Sequence, residues 1–482
     1  DTILKIGTIH ITTPIAYRKA LRYYKSKASV PFEVKRGNDT ETIQITPKTY
    51  PLEKENGLDI IYHSFTSSTG DGIRVIETKS QSRGLTLIRA EAKERRYVAR
   101  TSDEPPTFLS ARLIAFYLPQ FHPIPENDEW WGEGFTEWTN VTRAKPLYPM
   151  HYQPRKPGDL GYYDLRDVEV MEKQVAMARQ YGLGGFCFYF YWFHGERLLE
   201  TPVLNYLENT EFDLPFCLCW ANENWTRTWD GKDGQVLIGQ EHSEKDDLAF
   251  IEYISKYLHD ARYIRVAGKP LVLVYRPNLL PDAAKTAKRW RGWCRNNGVG
   301  EIYLAYTQSF EKIDPAEIGF DAAIEFPPNN TGPEIITDQV DDLPFNFKGF
   351  VYDWTSIATR SESYLNPEYT LFRGVNPSWD NTARRRDTGA VFAGNTPSGY
   401  QRWLENAIQD TQKRFDDEST RLVFINAWNE WAEGAYLEPD VAYGYAYLQA
   451  TRNALENSLS GRSQPKQNDR KIVLVAHDGH PH

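Results

Sequence analysis

Apolar runs of strand length recur along most of this chain, with longer amphipathic stretches between them. The runs lie at 112–121 (RLIAFYLPQF), 184–193 (GGFCFYFYWF), 215–223 (PFCLCWANE) and 270–277 (PLVLVYRP). They continue at 301–308 (EIYLAYTQ), 322–326 (AAIEF), a weaker 371–381 (LFRGVNPSWDN) and 421–431 (RLVFINAWNEW). Helical patterns such as 168–182 and 246–261 separate them. Continuous apolar strands alternating with helices predict a parallel sheet buried on both faces. Eight such repeats match an α/β fold of the (β/α)8 TIM-barrel kind, with insertions. A doubly wound open sheet would require a Gly-rich turn after the first strand, and YLPQFHP has none.

Residues 1–100 follow another rhythm. Short, β-branched, often alternating segments occur at 41–47, 58–65, 72–78 and 84–92, separated by charged or Gly-containing stretches. They predict a small β-rich accessory domain with one helix at 16–27. Residues 101–110 (TSDEPPTFLS) read as a linker, 111–457 as the barrel and 458–470 as a second linker. The apolar start of 471–482 (KIVLVAHDGHPH) cannot bury itself alone. It reads as the first strand of a truncated further α/β domain.

Nearly every run in the barrel ends in polar or aromatic residues. Tyr117, Gln120 and His122 close the first, Trp192 and His194 the second, and Asn222, Glu223 and Asn224 the third. Tyr275, Gln308, Glu325, Asp380 and Glu430 continue the habit. Barrel active sites are built at the C-terminal ends of the strands, so these residues are candidates for one shared site. Composition adds little: aromatics reach 14%, with 14 Trp and 29 Tyr, which suits sugar rings but also ordinary packing. The net charge of −9 comes without a basic stripe, which argues against a nucleic-acid partner. The four cysteines lack disulfide or zinc spacing and suit a reducing compartment, which places the protein in the cytoplasm, free or at the inner face of the membrane. No apolar run is long enough for a membrane span, and neither a metal nor another cofactor is expected.

Four motifs carry candidate chemistry. FINAWNEWAEGAYLEPD (424–440) places Glu430 and Glu433 among Trp428, Asn429 and Trp431 as a strand ends. Glycosidic cleavage needs one group to protonate the leaving oxygen and a second carboxylate as base or nucleophile. Two glutamates that can turn into one pocket, shielded by indoles, fit that need. The plainer reading is a surface loop with solvated glutamates. WANENWTRTWDG (220–231) offers Asn222, Glu223, Asn224, Arg227 and Asp230 as donors and acceptors for hydroxyls, with Trp225 as a platform. Its plainer reading is a loop held by structural hydrogen bonds. WWGEGFTEW (130–138) adds Trp131 and Glu137, and NPSWDNTARR (376–385) adds Trp379, Asp380 and Asn381.

Together with AFYLPQFHPIPENDEWWGEGFTEWTNV, these motifs, in their order, resemble the WbsX family. Its members are glycoside-hydrolase-family-99-like domains of bacterial lipopolysaccharide and capsule biosynthesis proteins. The resemblance runs over roughly 111–456 and leaves the N-terminal segment uncovered. The tail resembles the opening strand of a GT-B glycosyltransferase, which implies that such a domain follows in the full-length protein. In family 99 endo-α-mannosidases a NEWHEG-like motif carries two glutamates, and Glu430 and Glu433 in NEWAEG match them. The resemblance thus implies a retaining endo-glycosidase acting on α-linked, manno-configured surface polysaccharide or its precursor, through a 1,2-anhydrosugar. Glu430 would deprotonate the substrate's 2-hydroxyl and Glu433 would protonate the leaving oxygen. Ala432 stands in place of the family 99 histidine, which bears on substrate identity. The alternatives are a glycosyltransferase or transglycosylase of O-antigen or capsule synthesis, and a non-catalytic glycan-binding scaffold.

Overall fold

The computed structural model describes residues 97–460, with gaps at 108, 149–150, 228–231 and 341–342; elsewhere only strand segments are described, as backbone. The chain divides into two units, Asp1–Arg96 with Gln464–His482, and Tyr97–Ser463. In the first unit, strands Val30–Arg36, Asp39–Thr49, Leu58–Ser67, Gly72–Ser80 and Thr86–Lys93 pair antiparallel in sequence order. Ile472–Ala476 pairs antiparallel with Thr86–Lys93. The helix expected at 16–27 lies outside the described residues.

In the second unit the apolar runs form eight parallel strands: β1 (Arg112–Tyr117), β2 (Gly185–Phe193), β3 (Phe216–Trp220), β4 (Lys269–Val274), β5 (Tyr303–Thr307), β6 (Ala322–Ile324), β7 (Leu371–Val375) and β8 (Leu422–Ile425). β8 pairs with β1, and β1 with β2, so the sheet closes. Closure in parallel puts all eight C-terminal ends on one rim, as the expected barrel requires.

The runs are apolar throughout because both faces are covered. Inside, Phe116 meets Phe326, Tyr189 and Phe424 at ring separations of 5.0, 5.7 and 5.8 Å. Outside, Trp220 packs on Phe250 and Trp290. Each such side chain removed from water contributes about 1.5–3 kcal/mol. All four cysteines are buried free thiols.

The described helices are α1 (Pro125–Trp131), α2 (Glu137–Arg143), α3 (Val168–Gln180), α4 (Thr201–Glu208), α5 (Glu244–Leu258), α6 (Ala283–Asn296), α7 (Trp354–Arg360), α8 (Thr382–Arg385), α9 (Pro397–Arg414) and α10 (Ala446–Ser460). Asp167, Ser243, Asp282 and Thr396 cap α3, α5, α6 and α9 by accepting from backbone N–H groups of the first turn. Between β5 and β6 a 3-10 turn, Pro315–Ile318, stands where a helix would. A small sheet formed by Glu334–Ile335, Phe350–Asp353, Trp379–Asp380 and Ala390–Ala393 is inserted around β7. No helix among the described residues is long and apolar enough to cross a membrane.

Candidate active site

After β8 the chain folds into a hairpin, Asn429–Glu430 against Ala435–Tyr436, joined by the 3-10 turn Trp431–Glu433. Gly434 leaves that turn with φ 62°, the left-handed region that glycine enters without strain. A β-carbon there would also press on the Arg155 guanidinium at 3.0 Å. Glu430 precedes the turn and Glu433 ends it, three residues apart. Both carboxylates turn to one partner.

They point at Arg384 of α8. Its guanidinium reaches Glu137 (Nε to Oε2, 3.1 Å), Glu430 (Nη2 to Oε2, 3.1 Å) and Glu433 (Nη1 to Oε1, 2.5 Å). Three carboxylates thus share one cation. Burial works against the charge of Arg384, but Glu137, Glu433 and Glu430 together hold it firmly protonated. For the acids one cation is too little. Burial raises Glu137 in spite of Arg384. Burial, reinforced by the charges of Glu433 and Glu137, pushes Glu430 up to about 8 against the pull of Arg384. The Glu430 side chain is 7% exposed and that of Glu433 21%, so Glu433 is the more open of the pair.

Three tyrosines lie within electrostatic reach of this cluster. Tyr189 and Tyr191 are raised well above the ordinary phenol range, by burial first and the charge of Glu430 second. Burial also raises Tyr275, with Glu223 and Glu433 adding to it. Gln120 donates to the Tyr191 hydroxyl at 3.4 Å, and Trp225 packs edge-on to Tyr191 at 5.1 Å. Of the residues anticipated from sequence, Gln120, Glu137, Trp225, Tyr275, Glu430 and Glu433 therefore gather here. Arg384, Tyr189 and Tyr191 were not anticipated. The signal for Arg384 was TARR in the fourth motif, and that for the tyrosines was their alternation in FCFYFYWF.

A second group supports the site from behind. Tyr117 was expected at the mouth, but strand alternation turns it away from Phe116 and the barrel interior. Its hydroxyl donates to Gln174 on α3 at 2.6 Å. Trp192, expected beside it, is likewise turned outward and donates to Asp246 of α5. Trp428 is fully buried against Phe186. Asn429 accepts from the Leu118 amide and donates to its carbonyl, tying the hairpin to β1. Trp431 stacks on Tyr436 at 3.8 Å and donates to Glu438 at 2.6 Å. Glu438 also accepts from Gln174 and Tyr163, and burial pushes it up to about 7. These side chains hold the Trp431–Glu433 turn from behind and do not reach Arg384.

The NPSWDNTARR motif plays a similar part. Asp380 is buried, pairs with His151 at 2.8 Å, and accepts from the Thr382 amide at the start of α8. His151 and Arg155 hold its carboxyl well below the usual range although burial opposes them. The Asn381 side chain accepts from the Ala390 amide, and its carbonyl accepts from the amides of Arg384 and Arg385. Trp379 is buried in the small sheet, in register with Phe392. This motif therefore positions Arg384.

The remaining candidates have other partners. Asn222 bridges the backbone N–H and C=O of Arg276, joining the ends of β3 and β4. Glu223 pairs with Arg276 at 2.8 Å, and Asn224 accepts from the Gln240 amide. His122 is buried beside its neighbour's carbonyl and is lowered by burial, while His194 is half exposed near the Glu241 carbonyl. Trp131 packs near Phe135. Gln308 donates to Tyr369, and Glu325 pairs with Arg373 at 2.7 Å. Arg227 ends a short strand whose side chain there is outside the description, and Asp230 lies outside the described residues. Among the described residues, no group of three or more His, Cys, Asp and Glu is placed to hold a metal ion.

Known proteins sharpen this picture. The chain is 54% identical over 359 residues to the uncharacterized protein WxcX of Xanthomonas campestris pv. campestris (strain B100), covering 74% of this chain and 52% of that protein. WxcX of strain ATCC 33913 is 55% identical over 350 residues, covering 73% and 50%. The chain thus spans about half the length of these curated relatives. Among solved structures, a "glycoside hydrolase-like protein" is similar at a TM-score of 0.48 and 15% identity, covering 75% of this chain and 98% of that one. The GH99 endo-alpha-mannosidase from Bacteroides thetaiotaomicron is similar at 0.46 and 17%, covering 74% and 100%. The family model described as Glycosyltransferase WbsX matches residues 113–451, most of the chain and nearly all of the barrel, and the chain belongs to that family.

Proposed function

We propose that this barrel cleaves α-glycosidic bonds in a bacterial surface polysaccharide or its precursor, as a retaining endo-glycosidase-like enzyme. The observation that carries the reading is the convergence of Glu430 and Glu433 on one turn at the end of β8, within electrostatic reach of Tyr189, Tyr191 and Tyr275. In a substrate whose 2-hydroxyl is trans to the scissile bond, Glu430 removes the hydroxyl proton and the oxygen displaces the leaving group from C1. Glu433 donates a proton to the departing oxygen. Water then opens the 1,2-anhydrosugar with the proton transfers reversed, so configuration is retained overall.

The electrostatics constrains this division of labour: Glu430, pushed up to about 8, must lose its proton before it acts as the base. A carboxylate held near 8 is a far stronger base than one near 4.5, and a hydroxyl proton needs a strong base. Glu433 is the more solvent-accessible of the two, 21% exposed against 7% for Glu430. The family description favours a second reading, transfer, in which a sugar hydroxyl replaces water in the second step.

The test is product analysis on a panel of defined surface glycans, without nucleotide sugar. Cleavage giving first-formed product of retained configuration supports hydrolysis. Turnover only with an added sugar donor supports transfer. Binding without turnover under either condition overturns both in favour of a scaffold.

A further inference from the structure

A separate cavity of about 640 Å³ lies beside the ends of β5 and β6, along β7 and the segment that leads into it, and against α7 and α9. That volume lies within the ordinary range for a site that encloses a small ligand. Its floor is Arg373, with a side chain 1% exposed. The charge of that guanidinium is already spoken for, by Glu325 and Asp410 at 2.7 Å each, and it lies 3.9 Å from the centre of the Tyr364 ring. Tyr364, Tyr369 and Trp403 provide aromatic wall, and Gln308, Asn329 and Asn330 provide amides. Flat apolar faces beside amide donors and acceptors suit a sugar ring.

The rim differs from the floor. Lys312 donates to the Asn330 carbonyl at 3.1 Å, and Arg360 donates to the Gly332 carbonyl. Both are exposed lining residues, and among the described residues neither forms an ion pair with a carboxylate. With Arg373 and Arg414 together offsetting Glu325 and Asp410, the cavity mouth keeps two positive charges outside any ion pair among the described residues, in a chain of net charge −9.

We propose that this cavity binds an acidic sugar unit, one bearing a carboxylate or a phosphate. The aromatic wall takes the ring, and Lys312 and Arg360 take the anion. The choice of a sugar over other anions rests on the glycan reading of the catalytic site; the anionic preference rests on the cavity alone.

The test is calorimetric titration of the whole chain with three probes: an oligosaccharide ending in glucuronate, the same oligosaccharide ending in glucose, and a hexose phosphate. Lys312→Ala/Arg360→Ala and Tyr369→Ala variants are titrated alongside. The glucuronate probe, the hexose phosphate or both should bind at least ~10-fold more tightly than the neutral probe, and more weakly as salt rises. The double variant should abolish that preference without lowering Tm, since both side chains are exposed. Tyr369→Ala should weaken every sugar probe. Which acidic probe binds identifies the anion as carboxylate or phosphate. Equal affinity for acidic and neutral probes, or a preference untouched by the double variant, overturns the proposal. So does inorganic phosphate binding as tightly as hexose phosphate. The readout is independent of turnover: acidic-sugar binding by a chain that cleaves nothing would sink the catalytic reading alone, and cleavage by a chain indifferent to charge would sink this one alone.

Discussion

Burial leaves a proton on Glu430 at neutral pH, and that proton must go before the residue can act as a base. The value of kcat/KM should therefore rise with pH through about 8, the limb that an essential base imposes on the free enzyme. A profile that falls through the same range would make Glu430 the acid. Arg384 sets the level of this limb, because it is the cation that Glu137, Glu430 and Glu433 share. Arg384→Met should move the limb to higher pH and lower kcat/KM by about 10²-fold or more, while Arg384→Lys should recover part of the charge but not the three-way fork. A pH profile unmoved by Arg384→Met would separate the guanidinium from the chemistry.

At the scale of elements, strand alternation decides which aromatic side chains face the acid cluster. Along β2, Tyr189 and Tyr191 border the acids, while Trp192 between Tyr191 and Phe193 packs outward on Phe250 and Tyr253. Trp225→Ala should then weaken glycan binding by ~1–3 kcal/mol through lost apolar contact, with a small change in Tm. Trp192→Ala should instead cost ~3–5 kcal/mol of stability, read from the urea midpoint. The reverse pattern would mean that the strand faces are misassigned. The same alternation explains what the sequence left hidden. Strand existence is legible from apolar run length, and all eight runs became strands. A run apolar on both sides, however, carries no mark of which residues face inward, so Tyr117 and Trp192 were expected in the mouth and Tyr189 and Tyr191 were not. The glutamate pair was legible because two acids close together after an apolar strand need a reason. Arg384 was not, because Glu137 opens α2, after β1, and Arg384 lies on α8, after β7, and only barrel closure brings them together. The small inserted sheet, with strands of two to four residues, is too short for periodicity to reveal.

For the molecule as a whole, the site has a consequence for stability. Glu430 and Glu438 are held near 8 and 7, and Glu137 is also raised, whereas in the unfolded chain all three titrate near the ordinary 4.5. The folded state thus binds more protons over this interval. The stabilisation is fully present below about 4.5 and is lost as pH rises through the folded values. Asp380, held low, works in the opposite sense, but its contribution is lost only in strong acid. Unfolding free energy should therefore fall between about pH 5 and 8, by on the order of a few kcal/mol. Glu430→Gln should flatten that decline. A stability that is level or rising over this range would contradict the burial of these acids.

The central claim is that Glu430 and Glu433 are a base and an acid acting on one glycosidic bond. It is tested most directly by comparing the two glutamine variants on a cleaved glycan and on an activated aryl glycoside of the same sugar. An aryl leaving group needs little protonation. Glu433→Gln should therefore lose ~10²–10⁴-fold on the glycan and far less on the aryl glycoside, while Glu430→Gln should lose about equally on both. Near-full activity of both variants on the glycan would contradict the account.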